Sequence, residues 1–249
     1  MKNNIENEVY YGTFSIGHKS DDSEEVSTEA LRQSYTEGNL DAGNKLALRL
    51  QKGRLCKANP EEALNIFRDL AQKGHLMGIY NYAETLESGR GTAQNLDEAK
   101  KWYDIAIDRG LPAAMANQAF LLTFGPKDLQ DYQRGYELAL DASALGEEEA
   151  MYLLGLFHIT DKYGRKDEFK AFECFRKAVD MGASAFAYRW ISICYEKGLG
   201  VEQDDVMAEE WMRKAIKRGL PQRLVRDKYR HLLGSDLNDF TPSPTKNSD

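Results

Sequence analysis

Glycine recurs at Gly38, Gly74, Gly110, Gly146, Gly182 and Gly219, in four steps of 36 residues and a last of 37. Each closes a run of helix-forming residues, at the point past a helix C-terminus where positive φ costs glycine little. A fixed step of this length marks a tandem array, in which one supersecondary unit is repeated and stacked. It restricts the chain to folds in which neighbouring units bury one another's apolar faces.

Residues at equal distance from each glycine share a physical demand. Eleven positions before it stand Ala63, Ala99, Gly135, Ala171 and Ala208, and four before it Leu70, Ala106, Ala142, Ala178 and Ala215. The first half of each unit has two further columns, Ala42, Gly78, Ala114, Ala150 and Ala187, then Ala47, Ala83, Ala119, Gly155 and Ser192. Small residues there let two helices approach closely while larger apolar side chains fill the space around the contact. Within residues 147–182 the apolar positions Met151, Leu154, Phe157 and His158, then Phe172, Phe175, Val179 and Met181, have helical rather than alternating spacing. Each unit therefore reads helix, loop, helix, turn. Lys73, Arg109 and Arg218 precede the closing glycine, which suits the negative end of a helix dipole. A second glycine, Gly53, Gly89, Gly125 or Gly198, closes the first helix of four units. The unit 147–182 has Asp161 there and delays its glycine to Gly164, so its loop is expected to differ.

The expected architecture is an all-α, right-handed α-α superhelix of about five helix pairs. It comprises an acidic mobile segment at 1–26, a half-unit at 27–38, units 39–74, 75–110, 111–146, 147–182 and 183–219, a capping helix at 220–234 and a disordered tail at 235–249. The half-unit supplies Ser27, Ser34 and Gly38 in register. At the far end Arg223 and Lys228 occupy the small columns, so no further helix packs there and the array stops.

The run Ala187 to Gly219 resembles the Sel-one-like repeat, a relative of the tetratricopeptide repeat, through Tyr195, Gly198, Gly200, Val201, Asp204, Ala208, Trp211, Ala215 and Gly219. Unit 75–110 resembles it through Gly89, Gly91, Asp97, Ala99, Trp102, Ala106 and Gly110. The other three units lack the loop signature and match in their small columns alone. The resemblance implies a scaffold or adaptor with a protein partner, and leaves that partner open. It also implies that the first helix of each pair lines the concave side.

A formal charge of −7 argues against a general nucleic-acid binder, which needs a basic stripe. Cys56, Cys174 and Cys194 form no framework, and no apolar run of signal-peptide or membrane-spanning length is present, which points to a reducing cytoplasm. The acidic N-terminal segment encloses Val9 to Ile16, with Tyr10, Tyr11 and Phe14, readable as a docking motif or as a tail resting on the first helix. The four histidines, His18, His75, His158 and His231, show no metal-ligand spacing. The Gly-x-Gly runs at Gly89 and Gly198 lack the preceding strand of a phosphate loop. No cofactor, metal site or catalytic residue is expected. The one enzymatic alternative is a convergence of Tyr152, His158 and Asp161.

Setting the column from Ala47 to Ser192 against the second helices leaves a stripe facing a groove. Asn44, Leu48, Gln51, Ala116 and Thr123 belong to it, and its proposed contact residues are Tyr80, Glu84, Glu87, Phe120, Tyr152, Leu156, Ile159, Arg189, Ile193 and Glu196. An apolar and aromatic centre with a polar rim is the layout of a protein or peptide interface. The resulting expectation is a non-catalytic scaffold or adaptor holding a protein or peptide partner, with no nucleic acid and no membrane. An inhibitor or immunity-type protein that occludes an enzyme is the alternative, and association of two copies is left open.

Overall fold

The computed structural model of the chain describes residues 26–160 and 164–232. Among these residues the regular structure is helical throughout. The helices are α1 (Thr28–Thr36), α2 (Leu40–Lys52), α3 (Pro60–Gln72), α4 (Leu76–Ser88), α5 (Leu96–Asp108), α6 (Pro112–Phe124), α7 (Tyr132–Ala144), α8 (Glu148–Ile159), α9 (Glu168–Met181), α10 (Ala185–Lys197) and α11 (Asp205–Lys217). The fold is an all-α helical repeat in which even-numbered helices are first helices and odd-numbered ones second helices. The acidic segment, Asp161 and the C-terminal tail lie outside the described residues.

Contacts divide the chain into two compact units, Met1–Leu154 and Gly155–Asp249, with the boundary inside α8. In the first, α2 packs on α1 and α3, α4 on α3 and α5, and α6 on α5 and α7; in the second, α10 packs on α9 and α11. All four small columns are buried. A Cβ on Gly78 would collide with Leu70 of α3, and one on Gly155 with the ring of Phe175. That ring stacks on Trp190 at 5.4 Å in the core of the second unit.

Two repeated backbone devices set the turns. Past every closing glycine, the next N–H returns to a carbonyl of the preceding helix: Asn39 to Ser34, His75 to Leu70, Leu111 to Ala106, Glu147 to Ala142, Ala183 to Ala178 and Leu220 to Ala215. This is the bond that satisfies carbonyls left over at a helix end once glycine turns left-handed, and all six glycines have positive φ. The second device closes the loop between paired helices. Asn59, Asn95, Asp131, Asp167 and Asp204 each accept a backbone N–H with the side chain, capping the second helix. Each also donates its own N–H to a first-helix carbonyl, that of Leu50, Leu86, Leu122, His158 or Tyr195, at 2.8–2.9 Å. The Asn/Asp column is visible in the sequence once the loop is known to end there.

The second glycine of the Gly-x-Gly signature has a specific task. Gly91 lies on the first turn of α3, where a Cβ would strike the Pro60 carbonyl, and Gly200 lies likewise on Glu168 of α9. Unit 39–74 has Leu55 at this position, and its backbone keeps the left-handed conformation, with φ of 60°. Leu55 is tolerated sterically because its side chain is 63% exposed.

Side-chain bonds join residues about one repeat apart. Asn81 Nδ2 donates to Asn44 Oδ1 at 2.7 Å, Gln51 Nε2 to Thr85 Oγ1 at 3.1 Å and Arg109 Nη1 to the Gly74 carbonyl at 2.6 Å. In the second unit Arg218 Nη2 repeats the last of these on the Gly182 carbonyl at 3.1 Å. The basic residue before the closing glycine thus caps the previous repeat.

The expected capping helix is corrected. Residues after Gly219 form two 3-10 turns, Gln222–Leu224 and Asp227–Leu232. Arg223 replaces the small residue that lets a first helix press against its neighbour. The segment instead breaks so that Leu220, Val225 and Tyr229 turn inward onto Ala208, Met212 and Ala215.

Candidate interaction face

The ten residues expected to line an exposed groove are, with one exception, buried, so their reading as an open stripe is corrected. Helical rotation of about 100° per residue explains part of this. Positions equivalent to Gly78 and Ala83 meet second helices, which leaves Glu84 and Phe120 pointing away from both. Tyr80 and Glu87 are rotated back toward the seam with the next repeat. Asn117 Nδ2 of α6 donates to the hydroxyl oxygens of Tyr80 at 3.0 Å and of Tyr103 at 3.2 Å, and the Tyr103 hydroxyl donates to Glu87 Oε2 at 2.6 Å. Tyr80 and Glu87 are therefore members of an internal polar cluster among α4, α5 and α6.

Burial sets the electrostatics of that cluster. Loss of water pushes the Glu87 carboxyl up to about 7, partly opposed by the Tyr103 hydrogen bond and aided by the nearby Glu84 charge. The phenols of Tyr80 and Tyr103 lie well above their ordinary value for the same reason. Glu147, before α8, is also raised to about 7, by burial and then by Glu148.

Within the first unit, Glu84 and Phe120 mark the side of the first helices turned from α3, α5 and α7. Arg90 approaches Glu84 at 3.8 Å, and the Phe120 ring lies 4.8 Å from that of Phe124. Beside Phe120 a narrow cleft between α6 and the start of α8 is lined by Ala116, Asn117, Phe120, Glu149, Tyr152 and Leu153. Glu149 was missed in the sequence because it sits in the run Glu147 to Glu149, which reads as surface. Its i, i+3 relation to Tyr152 was the available signal.

The remaining residues belong to the second unit. Leu156, Ile159 and Ile193 are fully buried. Arg189 and Glu196 hold the C-terminal turns. Arg189 Nε donates to the Leu224 carbonyl at 3.2 Å, while Glu196 accepts from Arg226 at 2.6 Å and from the Tyr229 hydroxyl at 3.1 Å. His158 Nδ1 is 2.9 Å from the Arg165 carbonyl, so this ring serves the loop after α8. Burial raises the Cys174 thiol to about 11 and the Cys194 thiol to about 12, which keeps both protonated at neutral pH. Among the described residues no group of three or more metal-binding side chains converges, and no helix is long and apolar enough to cross a membrane. The side chains on this side are aromatic and carboxylate, with Glu84, Phe120 and Glu149 7–8% exposed and Tyr152 fully buried.

Comparison with known proteins gives consistent matches. The model of the Sel1 repeat matches residues 41–75, 76–111, 148–182 and 185–220. The chain is 32% identical over 159 residues to DAP3-binding cell death enhancer 1 of Rattus norvegicus, covering 63% of the chain and 31% of the relative. The Mus musculus protein of the same name is 31% identical over the same length. The chain thus spans about a third of the curated relatives it matches. Among solved structures, a protective antigen of uropathogenic Escherichia coli with an SLR fold superposes with a TM-score of 0.67 at 28% identity, over 85% of this chain and 45% of that one. A Sel1 repeat protein of Oxalobacter formigenes gives 0.63 at 21% identity, over 80% and 86%. An immunity protein of Pseudomonas aeruginosa gives 0.51 at 19% identity, over 87% and 81%, a likeness of fold alone.

Proposed function

Because the chain belongs to the Sel1 repeat family, we propose that it is a non-catalytic scaffold that holds a protein or peptide partner on the side of α4, α6 and α8 turned from the second helices. The observation that carries this reading is the cleft beside Phe120 and Tyr152, with Glu149 at its edge. Phe120 is 8% exposed at this cleft and Tyr152 backs it from within, so the reading requires the face to open before an aromatic contact forms. A relative named for binding DAP3 supports a protein as the class of partner.

The test is affinity capture with the wild-type chain and with a Phe120→Ala, Tyr152→Ala variant, followed by titration of the purified captured protein. A partner retained by the wild type and weakened at least about tenfold by the variant supports the reading. Equal affinity of both proteins overturns it, provided circular dichroism shows the variant folded.

A second reading, an inhibitor that occludes a basic enzyme, is favoured by the net charge of −7 and by Glu84 and Glu149 on this face. It predicts association whose rate falls steeply with salt, whereas an apolar peptide interface is nearly indifferent.

A further inference from the structure

The burial of α4 and α6 extends around their whole circumference. Every residue from Gly78 to Glu87, and every residue from Ala116 to Thr123, is buried. Second helices account for one side: α3 and α5 against α4, α5 and α7 against α6. Neighbouring first helices cover the flanks, as the Asn81–Asn44 and Asn117–Tyr80 bonds show. Second helices do not account for Glu84 and Phe120, which helical rotation turns away from them and which are only 7% and 8% exposed. Glu149, on the same side at the start of α8, is 8% exposed. A helix shielded all round has matter on each face.

Chain of suitable length and chemistry precedes the first described residue. The described backbone begins at Val26, whose carbonyl accepts a hydrogen bond from Arg49 Nη1 of α2, so the chain approaches the array alongside the first of the first helices. Ile16 lies ten residues earlier. Ten extended residues reach about 33–36 Å, whereas neighbouring helices are separated by about 8–10 Å. Both α4 and α6 are within that reach. The chemistry also matches. Carboxylates flank the stretch from Val9 to Ser20, at Glu6, Glu8, Asp21, Asp22, Glu24 and Glu25, but none falls inside it, where His18 and Lys19 supply the only ionisable side chains besides Tyr10 and Tyr11. The face carries Glu84 on α4 and, at the cleft between α6 and α8, Phe120 with Glu149. Val9, Phe14 and Ile16 provide apolar contact, and the hydroxyls of Tyr10 and Tyr11 are donors for carboxylate acceptors.

We propose that the segment Val9 to Ile16 docks on the α4 and α6 face of its own chain and occupies the partner site until a partner displaces it. The inference rests on the interaction reading above and adds regulation to it. A partner then meets a site that is free only part of the time, and its apparent affinity falls by that fraction.

Hydrogen exchange followed by mass spectrometry on the full chain tests this, with a synthetic peptide of residues 8–20 as the free reference. Amides of residues 10–16 are expected to exchange at least about tenfold more slowly in the chain than in the peptide. The protection is expected to vanish in a Phe120→Ser variant whose α10 and α11 amides stay protected, which shows that the variant is folded. Tyr10→Ser, Tyr11→Ser and Phe14→Ser together are expected to tighten binding of the captured partner. Exchange of residues 10–16 at the free-peptide rate overturns the proposal. So does protection that appears only when the protein is concentrated about a hundredfold, which assigns the face to a second copy. If residues 10–16 are unprotected while the Phe120→Ala, Tyr152→Ala variant still loses its partner, self-docking fails and the interaction reading stands. The reverse pattern retains self-docking and removes the partner site.

Discussion

Asn95 serves both helices of its repeat: its backbone N–H donates to the Leu86 carbonyl of α4 at 2.9 Å, and its side-chain oxygen accepts from the Glu98 N–H of α5 at 3.1 Å. The first bond fixes the end of the loop, and the second satisfies one of the donors exposed at the start of a helix. Replacement by alanine leaves the first and removes the second, together with the bond from Asn95 Nδ2 to Glu98 Oε2 at 3.2 Å. Asn95→Ala is expected to lower stability by about 1 kcal/mol in urea denaturation. Asp204→Ala is expected to cost at least as much, since Asp204 Oδ1 accepts from both Val206 and Met207.

Opposite outcomes are expected at one loop position in two repeats. Gly91→Ala places a Cβ against the Pro60 carbonyl at a φ of +74° and is expected to cost roughly 2–3 kcal/mol. Leu55→Gly removes a side chain from the same conformation and is expected to gain about 1 kcal/mol. Thermal melts of the two variants check the pair.

A dependence on pH follows from Glu87. Its carboxyl titrates near 4.5 when unfolded and at about 7 when folded, so between these values the folded chain holds a proton that the unfolded chain has released. Stability is therefore expected to fall as pH rises through this window and to level off above it. Glu147 contributes in the same direction. The decrease between pH 5 and pH 8 is expected to be roughly 1–3 kcal/mol. In Glu87→Gln, which keeps an acceptor for Tyr103, it is expected to shrink, as read from melts at both pH values.

The C-terminal turns depend on Glu196. It accepts from Arg226 and from the Tyr229 hydroxyl, and Lys228 lies 3.6 Å from it. Glu196→Gln retains the volume and loses the charge, with an expected cost of about 1–3 kcal/mol. Hydrogen exchange is expected to accelerate at the Val225 and Tyr229 amides while α4 to α6 remain unchanged.

The array was legible in the sequence because its determinants are local. A glycine past each helix and a small residue at each crossing depend only on backbone conformation and side-chain size, and both recur at a fixed step. The side of α4 and α6 proposed for interaction was legible only in position. Helical rotation separates Phe120 from Ala119, but it cannot say that Tyr80 turns to meet Asn117 or that the Phe120 side is shielded. Those facts depend on what lies across the helix, which no periodicity encodes. The C-terminal cap misled for a related reason. Leu220 and Pro221 open it as Leu111 and Pro112 open α6, and Arg223 and Lys228, in columns that other repeats keep small, distinguish the two.

The bonds that tie Asn44 to Asn81, Gln51 to Thr85 and Gly74 to Arg109 span 34–37 residues each. Among the described residues of the first unit, these ties join each repeat only to its neighbour. Pulling from one end should release a few of these ties at a time, giving a sawtooth of small force steps spaced by the contour length of about one repeat. Such a module yields gradually, where a domain closed by contacts between its termini would resist and then fail at once.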